Sequence, residues 1–237
     1  MTVIKLLPFL STLITFVFAA AVLQRYVHRR GIHLLLWGIG LVLYGAGTFT
    51  EAYLALGWSE TALRVWYLSG AMLTAAWLGQ GTVHLLVRRR GVAGTLTAIL
   101  TLVSLVAIVK VFSLPVNGET FNQHIPISAQ YKEIMTRDSL TRFLTVLLNI
   151  YGSIGLIGGA AWSAYLFARK RVLPHRVIGN VLIAAGALMP ATAGTLIKLG
   201  LGDWLYLSEL LGAAIMFAGF IAATNPQPAT TPQAATA

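Results

Sequence analysis

The sequence has no cysteine, only seven acidic residues in 237, and charged side chains of either sign at just 10%. Without cysteine there is no disulfide, no thiolate metal site and no cysteine nucleophile. Soluble domains are usually about 25% charged, so this chain cannot coat a globule with water-compatible surface. An ordinary cytosolic enzyme is thereby excluded. Reaction motifs are absent too: there is no Gly-x-Ser-x-Gly nucleophile context, no Gly-rich phosphate loop ending in Lys-Ser/Thr, and no paired His-x-x-x-His. These absences point away from an enzyme, and nothing in the sequence requires a cofactor.

What is abundant is apolar residue, 57% of the chain, and basic charge, with 17 Lys and Arg giving a net +10. A nucleic-acid binder concentrates such charge on a solvated face, whereas here long apolar runs separate the arginines. Nucleic acid is not expected as a partner. A bilayer core of roughly 30 Å takes about 20 apolar helical residues to cross. Seven runs qualify, at about 6–25, 33–56, 61–87, 93–112, 141–168, 175–200 and 204–224. None alternates with the period of two that a barrel strand shows. The expected fold is an all-α integral membrane protein, a single domain of seven transmembrane helices over 1–224.

Orientation follows from the basic residues in short loops, which stay cytoplasmic. Arg25, Arg29 and Arg30 follow the first run, Arg88, Arg89 and Arg90 the third, and Arg169, Lys170, Arg171 and Arg176 the fifth. The N-terminus is then outside and the C-terminus cytoplasmic, with 225–237, rich in Pro, Ala and Thr, a disordered cytoplasmic tail. This assigns ten of the 17 bases and none of the seven acids to the inside, where anionic lipid would be attracted. The setting fits a multi-pass protein of a prokaryotic cell membrane. A cleavable leader is the competing reading of the first run, because Lys5 precedes it and Ala19-Ala20-Ala21 ends it. The arginines directly after it argue against export of that segment.

The longest connection, 113–140, falls outside. Pro115, Asn117-Gly118 and Pro126 break its first half into turns, and Ser128 to Leu140 reads as a short interfacial helix with Tyr131, Ile134, Met135 and Leu140 near one face. It either caps the bundle as a lid or rests on the headgroups as a connector. With this linker central, a 3+1+3 pseudo-repeat is one organisation considered: Phe9-Leu10-Ser11 recurs as Phe143-Leu144-Thr145, His33 as His175, Trp58 as Trp204, and Tyr67-Leu68-Ser69 as Tyr206-Leu207-Ser208. The intervals differ between copies, and matches this short arise easily in so biased a composition. Gly38, Gly40, Gly45 and Gly47, the pair Gly155 and Gly159, and Ala214 with Ala218 are expected at helix contacts. Pro190 is expected to kink the sixth helix and free a carbonyl for Thr192 or water.

Ionisable residues inside a span are costly and find partners or line water. Four stand out, Glu51, Arg64, Lys198 and Glu209, all toward the outer ends of their helices. Spacing pairs Glu51 with Arg64 across spans two and three, and Lys198 with Glu209 across spans six and seven. Such pairs either stitch helix ends or line a polar outer cavity in which the acids titrate or bind cations and the bases hold anionic groups. Gln80, Asn149 and Asn180 are secondary polar positions, most simply explained by hydrogen bonds between helices. His33, His84 and His175 lie near the cytoplasmic ends of their spans, where two of them could in principle ligate haem. A retinal protein of the rhodopsin type would need a lysine in the middle of span seven, which has none.

Three functions follow. A small-solute or proton-coupled binding and transport bundle is favoured by the outer charges. A non-catalytic accessory or sensory subunit acting through a membrane-protein partner is the alternative, and an intramembrane haem protein is the third. The orientation is testable because the chain offers a cysteine-free background. A single Gln123→Cys substitution should react with an impermeant maleimide in intact cells, and Gln227→Cys only after permeabilisation. The reverse pattern would invert the topology.

Overall fold

The computed structural model describes residues 6–171, 173–198 and 204–224, with the side chains of 193–198 left out. Among these residues the chain is helical and contains no strand. The helices are α1 (Leu7–Arg29), α2 (Ile32–Leu54), α3 (60–86), α4 (Val92–Ser113), α5 (Ile127–Ile134), α6 (Ser139–Arg169), α7 (Pro174–Lys198) and α8 (Trp204–Thr224). Five of them, α1, α2, α4, α6 and α8, are long and apolar enough to cross a membrane. That is the make-up of a multi-pass membrane protein. The proposed tail, 225–237, lies outside the described residues.

Local chemistry sets the helix ends. Pro8 sits in the first turn of α1, where a missing N–H costs nothing. Arg30 closes α1 in the left-handed region at φ 54°, its N–H donating to the Tyr26 carbonyl over 2.7 Å. The Ser59 hydroxyl accepts from the Ala62 N–H at the start of α3, and the Asp138 carboxylate accepts from Thr141 N–H at 2.8 Å at the start of α6. That cap corrects the expected interfacial helix. It ends at Ile134, Met135 pairs back with Val116, and Leu140 belongs to α6. Lys110 forms an ion pair with Asp138 from the end of α4. Hydrogen bonds from Lys110 and Thr141 hold the Asp138 carboxyl well below the usual carboxylate range.

The long helices pack in a ring, α1 on α2, α2 on α3, α3 on α6, α6 on α7, α7 on α8, and α8 back on α1. α4 stays outside this ring, against α3 and α6. Its composition explains why. It is apolar all round, and only 22% of its most apolar window is buried, against 50% for α2. Leu102, Leu105, Val109 and Phe112 are exposed along it.

Small residues set the helix spacing inside the ring. A methyl on Gly47 would meet the backbone of Gly70 at 2.8 Å, and one on Gly79 the Gly152 carbonyl at 2.7 Å. Gly155 abuts Gly79 in turn, Gly186 faces the Gly212 carbonyl, and Gly219 faces that of Gly179. The α7–α8 contact is therefore made by glycines; Ala218, expected there, is exposed and Ala214 only partly buried. Two wider turns interrupt the ring helices, π-helical at Tyr67–Leu73 in α3 and at Ile154–Gly158 in α6. Pro190 lies within α7, and Thr192 donates to the Met189 carbonyl at 2.8 Å.

The glycine contacts have a direct consequence. A methyl group on Gly152 would collide with the backbone of Ala75 and Ala76, whereas one on Gly158 meets open space. Gly152→Ala should cost about 1–3 kcal/mol, as overpacking does. Gly158→Ala should leave stability unchanged or raise it by up to about 1 kcal/mol through helix propensity. Thermal unfolding of both variants in detergent checks this, and equal melting temperatures would refute the close contact.

Candidate functional site

The ring encloses a cavity of about 430 Å³. Its walls come from α2, α3, α6, α7 and α8, and Ser128 and Tyr131 of α5 contribute at one end. The space exists because many wall residues are small: Gly47, Gly70, Ala71, Ala75, Gly152 and Ala187. α5 is held down by Ile127 and Ile134, both buried, and by the Tyr131 ring, which lies 5.4 Å from that of Trp66 and 5.7 Å from that of Tyr67. It therefore caps the cavity. Burial pushes the Tyr131 hydroxyl above the ordinary tyrosine range, opposed by the nearby Arg137 guanidinium 4.9 Å over its ring.

Glu51 and Glu209 both line this cavity. Their carboxyls are within hydrogen-bond reach of each other, and the Trp66 indole is within reach of Glu51. Glu51 is 2% exposed and its Oε1 has no hydrogen-bond partner; Oε2 of Glu209 and Oγ of Ser128 likewise have none. Tyr44 reaches across from α2 to donate to the Glu209 backbone carbonyl at 2.9 Å, which fixes α8 against α2 at this level.

The expected acid–base pairing of Glu51 with Arg64 does not occur. Arg64 turns away from the cavity. Its Nη1 and Nη2 donate to the carbonyls of Val111 and Leu114 at 2.6 and 2.9 Å, and Nε and Nη2 reach Glu60 Oε1 at 3.0 and 2.6 Å. The last carbonyls of α4 are thereby satisfied by a guanidinium fork from α3. Glu60, one helical turn before Arg64, was the partner that reading across helices overlooked; the i,i+4 spacing was its signal. Lys198, the expected partner of Glu209, has a side chain outside the described residues. Trp66, Tyr44, Tyr131 and Ser128 are site residues that were not among the ligand-binding candidates: aromatics at this depth also suit an interfacial belt, and a lone serine carries no signal.

The secondary polar residues divide. Asn149 lines the cavity and donates to the Ala71 carbonyl, inside the π-helical segment of α3, at 2.8 Å. Gln80 instead ties three helices: its amide donates to the Ala93 carbonyl at 2.9 Å and to Thr97 Oγ1 at 2.7 Å, and its oxygen accepts from the Tyr151 hydroxyl. Asn180 donates within its own helix to the Arg176 carbonyl. His84 is bonded to Thr97 at 2.8 Å, and His33 packs edge-on against Trp37. His175 Nδ1 has no hydrogen-bond partner. No cluster of metal-ligating side chains occurs among the described residues.

No protein-family model, curated protein or solved structure matches the chain.

The two roles of Arg64 can be separated by stability. Arg64→Ala strands two buried carbonyls and should cost about 1–3 kcal/mol. Glu60→Ala removes only a half-exposed i,i+4 partner and should cost less than about 1 kcal/mol. Melting temperatures of the two variants decide it. If Glu60→Ala were the more damaging, the ion pair and not the carbonyl clamp would be holding α3 to α4.

Proposed function

We propose that the chain is a seven-span, single-domain binding and transport bundle for a small solute in a prokaryotic cell membrane, with Glu51 and Glu209 as its proton- or cation-binding groups. One observation carries this reading: a cavity of about 430 Å³ into which two adjacent carboxyls present oxygens that nothing in the protein satisfies. Two ionised carboxylates side by side in a dry site repel and are poorly solvated, so the pair is stable when a proton or another cation lies with it. A structural ion pair needs no such cavity and leaves no orphaned oxygen. Binding chambers of roughly 300–1,000 Å³ are typical of small-molecule sites.

The packing order supports the wider architecture. In the ring, α1, α2 and α3 are followed by α6, α7 and α8, with α3 meeting α6 as α8 meets α1. That cyclic order is the one a 3+1+3 parallel repeat would produce, with α4 as the extra helix and the cavity at the interface of the halves. The basic clusters at the ends of α1, α3 and α6 belong at the cytoplasmic face, where anionic lipid would gather. The carboxyl pair and its cap of α5 belong at the opposite, outer end. Glu51 and Glu209 would then be reached from outside.

Transport is tested in proteoliposomes by recording charge movement on a solid-supported membrane. The solutes would be a mixed panel of amines, neutral amino acids, sugars and carboxylic acids, applied with and without a proton gradient. At least one class should give a saturable current that Glu51→Gln or Glu209→Gln abolishes while the protein stays monodisperse. Currents unchanged in both variants would end the reading. A protein that binds solute and carries no current would instead be a sensory subunit, the role that a partner recovered intact in mild detergent would support.

A further inference from the structure

We infer that the cavity takes a compact amphiphilic organic monocation, a protonated amine or quaternary ammonium, with its head between Glu51, Glu209 and Trp66 and its apolar body toward Leu78, Leu156 and Met216. The inference rests on the reading of the cavity as a ligand site and adds the chemistry of the ligand.

Charge is the first argument. Both ionisable groups that line the cavity among the described residues, apart from tyrosine, are acids. Arg64, on a helix that walls the cavity, and Arg137, between the cap α5 and α6, are engaged elsewhere: Arg64 on the Val111 and Leu114 carbonyls and Glu60, and Arg137 over the rings of Tyr131 and Tyr67. An anionic ligand would meet two carboxyls and no free guanidinium. A neutral ligand would contribute nothing to neutralising the pair and would leave that to a bound proton.

The surroundings of the carboxyls then favour an organic cation over a bare metal ion. Calcium takes six to eight oxygens, and magnesium a near-ideal octahedron. Around Glu51 and Glu209 the lining adds no third carboxylate, only the neutral hydroxyls of Tyr44, Thr48, Ser128 and Tyr131, and much of the wall is carbon. Aromatic faces attract organic cations, most strongly where water is excluded and the ring is an indole. Tyr131 already carries Arg137 over its ring, which leaves Trp66, buried and beside Glu51, as the platform.

The cavity is also two-ended. The unsatisfied oxygens of Glu51, Glu209 and Ser128 are at the end capped by α5, while Leu78, Leu156 and Met216 belong to the apolar core shared by the six ring helices. A ligand charged throughout would leave the far end unfilled by anything it prefers. One with a cationic head and a short hydrocarbon body matches both.

The test is equilibrium binding to the full-length protein in nanodiscs, followed by tryptophan fluorescence and calorimetry. The probes are butyltrimethylammonium, butylammonium, 1-butanol and butyrate, which share a body and differ in the head. Both cations should bind saturably, and butanol and butyrate should not. Glu51→Gln and Glu209→Gln should each weaken cation binding roughly tenfold, as loss of a charge-assisted contact does, and Trp66→Leu roughly fivefold. Equal or tighter binding of butanol or butyrate overturns the inference, as does cation affinity unchanged in the double Gln variant. If the variants fail to fold, the ranking of the four probes on the unaltered protein still decides. Cation binding that appears only in Lys198→Met would mean that Lys198 already neutralises the pair, and also overturns it. The outcomes separate from those of the transport assay. Currents with sugars or acids but no amine binding would reject the ligand class and keep the transporter, and amine binding without current would do the reverse.

Discussion

The close approach of α3 and α6 is the constraint on which the rest of the structure depends. Gly79 lies against the backbone of Gly152 and Gly155, and no side chain separates the two helices there. In hydrocarbon there is no hydrophobic drive to press helices together, so dispersion between closely apposed backbones has to do it. The same choice of small residues has a second effect. Ala71, Ala75 and Gly152 form part of the cavity wall, and a wall without side chains leaves volume behind it. Packing and pocket are thus two results of one selection.

Polar groups are treated differently on the two sides of that contact. Gln80, Thr97, Tyr151 and His84 satisfy one another in a network between α3, α4 and α6. Arg64 does the same for the end of α4. An unmet polar atom in a low-dielectric setting is costly, which is why these networks close so fully. Around the cavity the bookkeeping is left open, with three orphaned oxygens at one end of a single chamber. Single buried atoms elsewhere also lack a partner, Oγ of Ser11, Oγ1 of Thr15 and Thr141 and Nδ1 of His175, but among the described residues the chamber is where two carboxyls with such oxygens lie together.

Charge shows the same division. The net +10 matches the ten Arg and Lys at or just beyond the ends of α1, α3 and α6, positions that suit insertion and orientation. The acids are the scarcer species, and two of the seven are placed together in the cavity. Scarcity makes that placement informative: where Glu51 could have had Arg64, the fold gives it Glu209.

Composition and run length alone determined that this chain is helical and membrane-like, because crossing hydrocarbon demands about 20 consecutive apolar residues and that demand is written locally. They also singled out Glu51, Arg64 and Glu209, since a charge in an apolar run is conspicuous. Partnership was not legible. Helix rotation about its axis and the identity of the neighbouring helix decide which side chains meet, and neither is encoded in depth along a span. Depth alone matched Glu51 to Arg64, yet closure of the ring lets α2 and α8 reach each other across its inside, and Glu209 meets Glu51 there. Arg64 was taken instead by Glu60 on its own helix and by carbonyls of α4, a helix outside the ring. Tertiary packing, by closing six helices around small residues, replaced the expected pair of Glu51 with Arg64 by two acids that line one cavity.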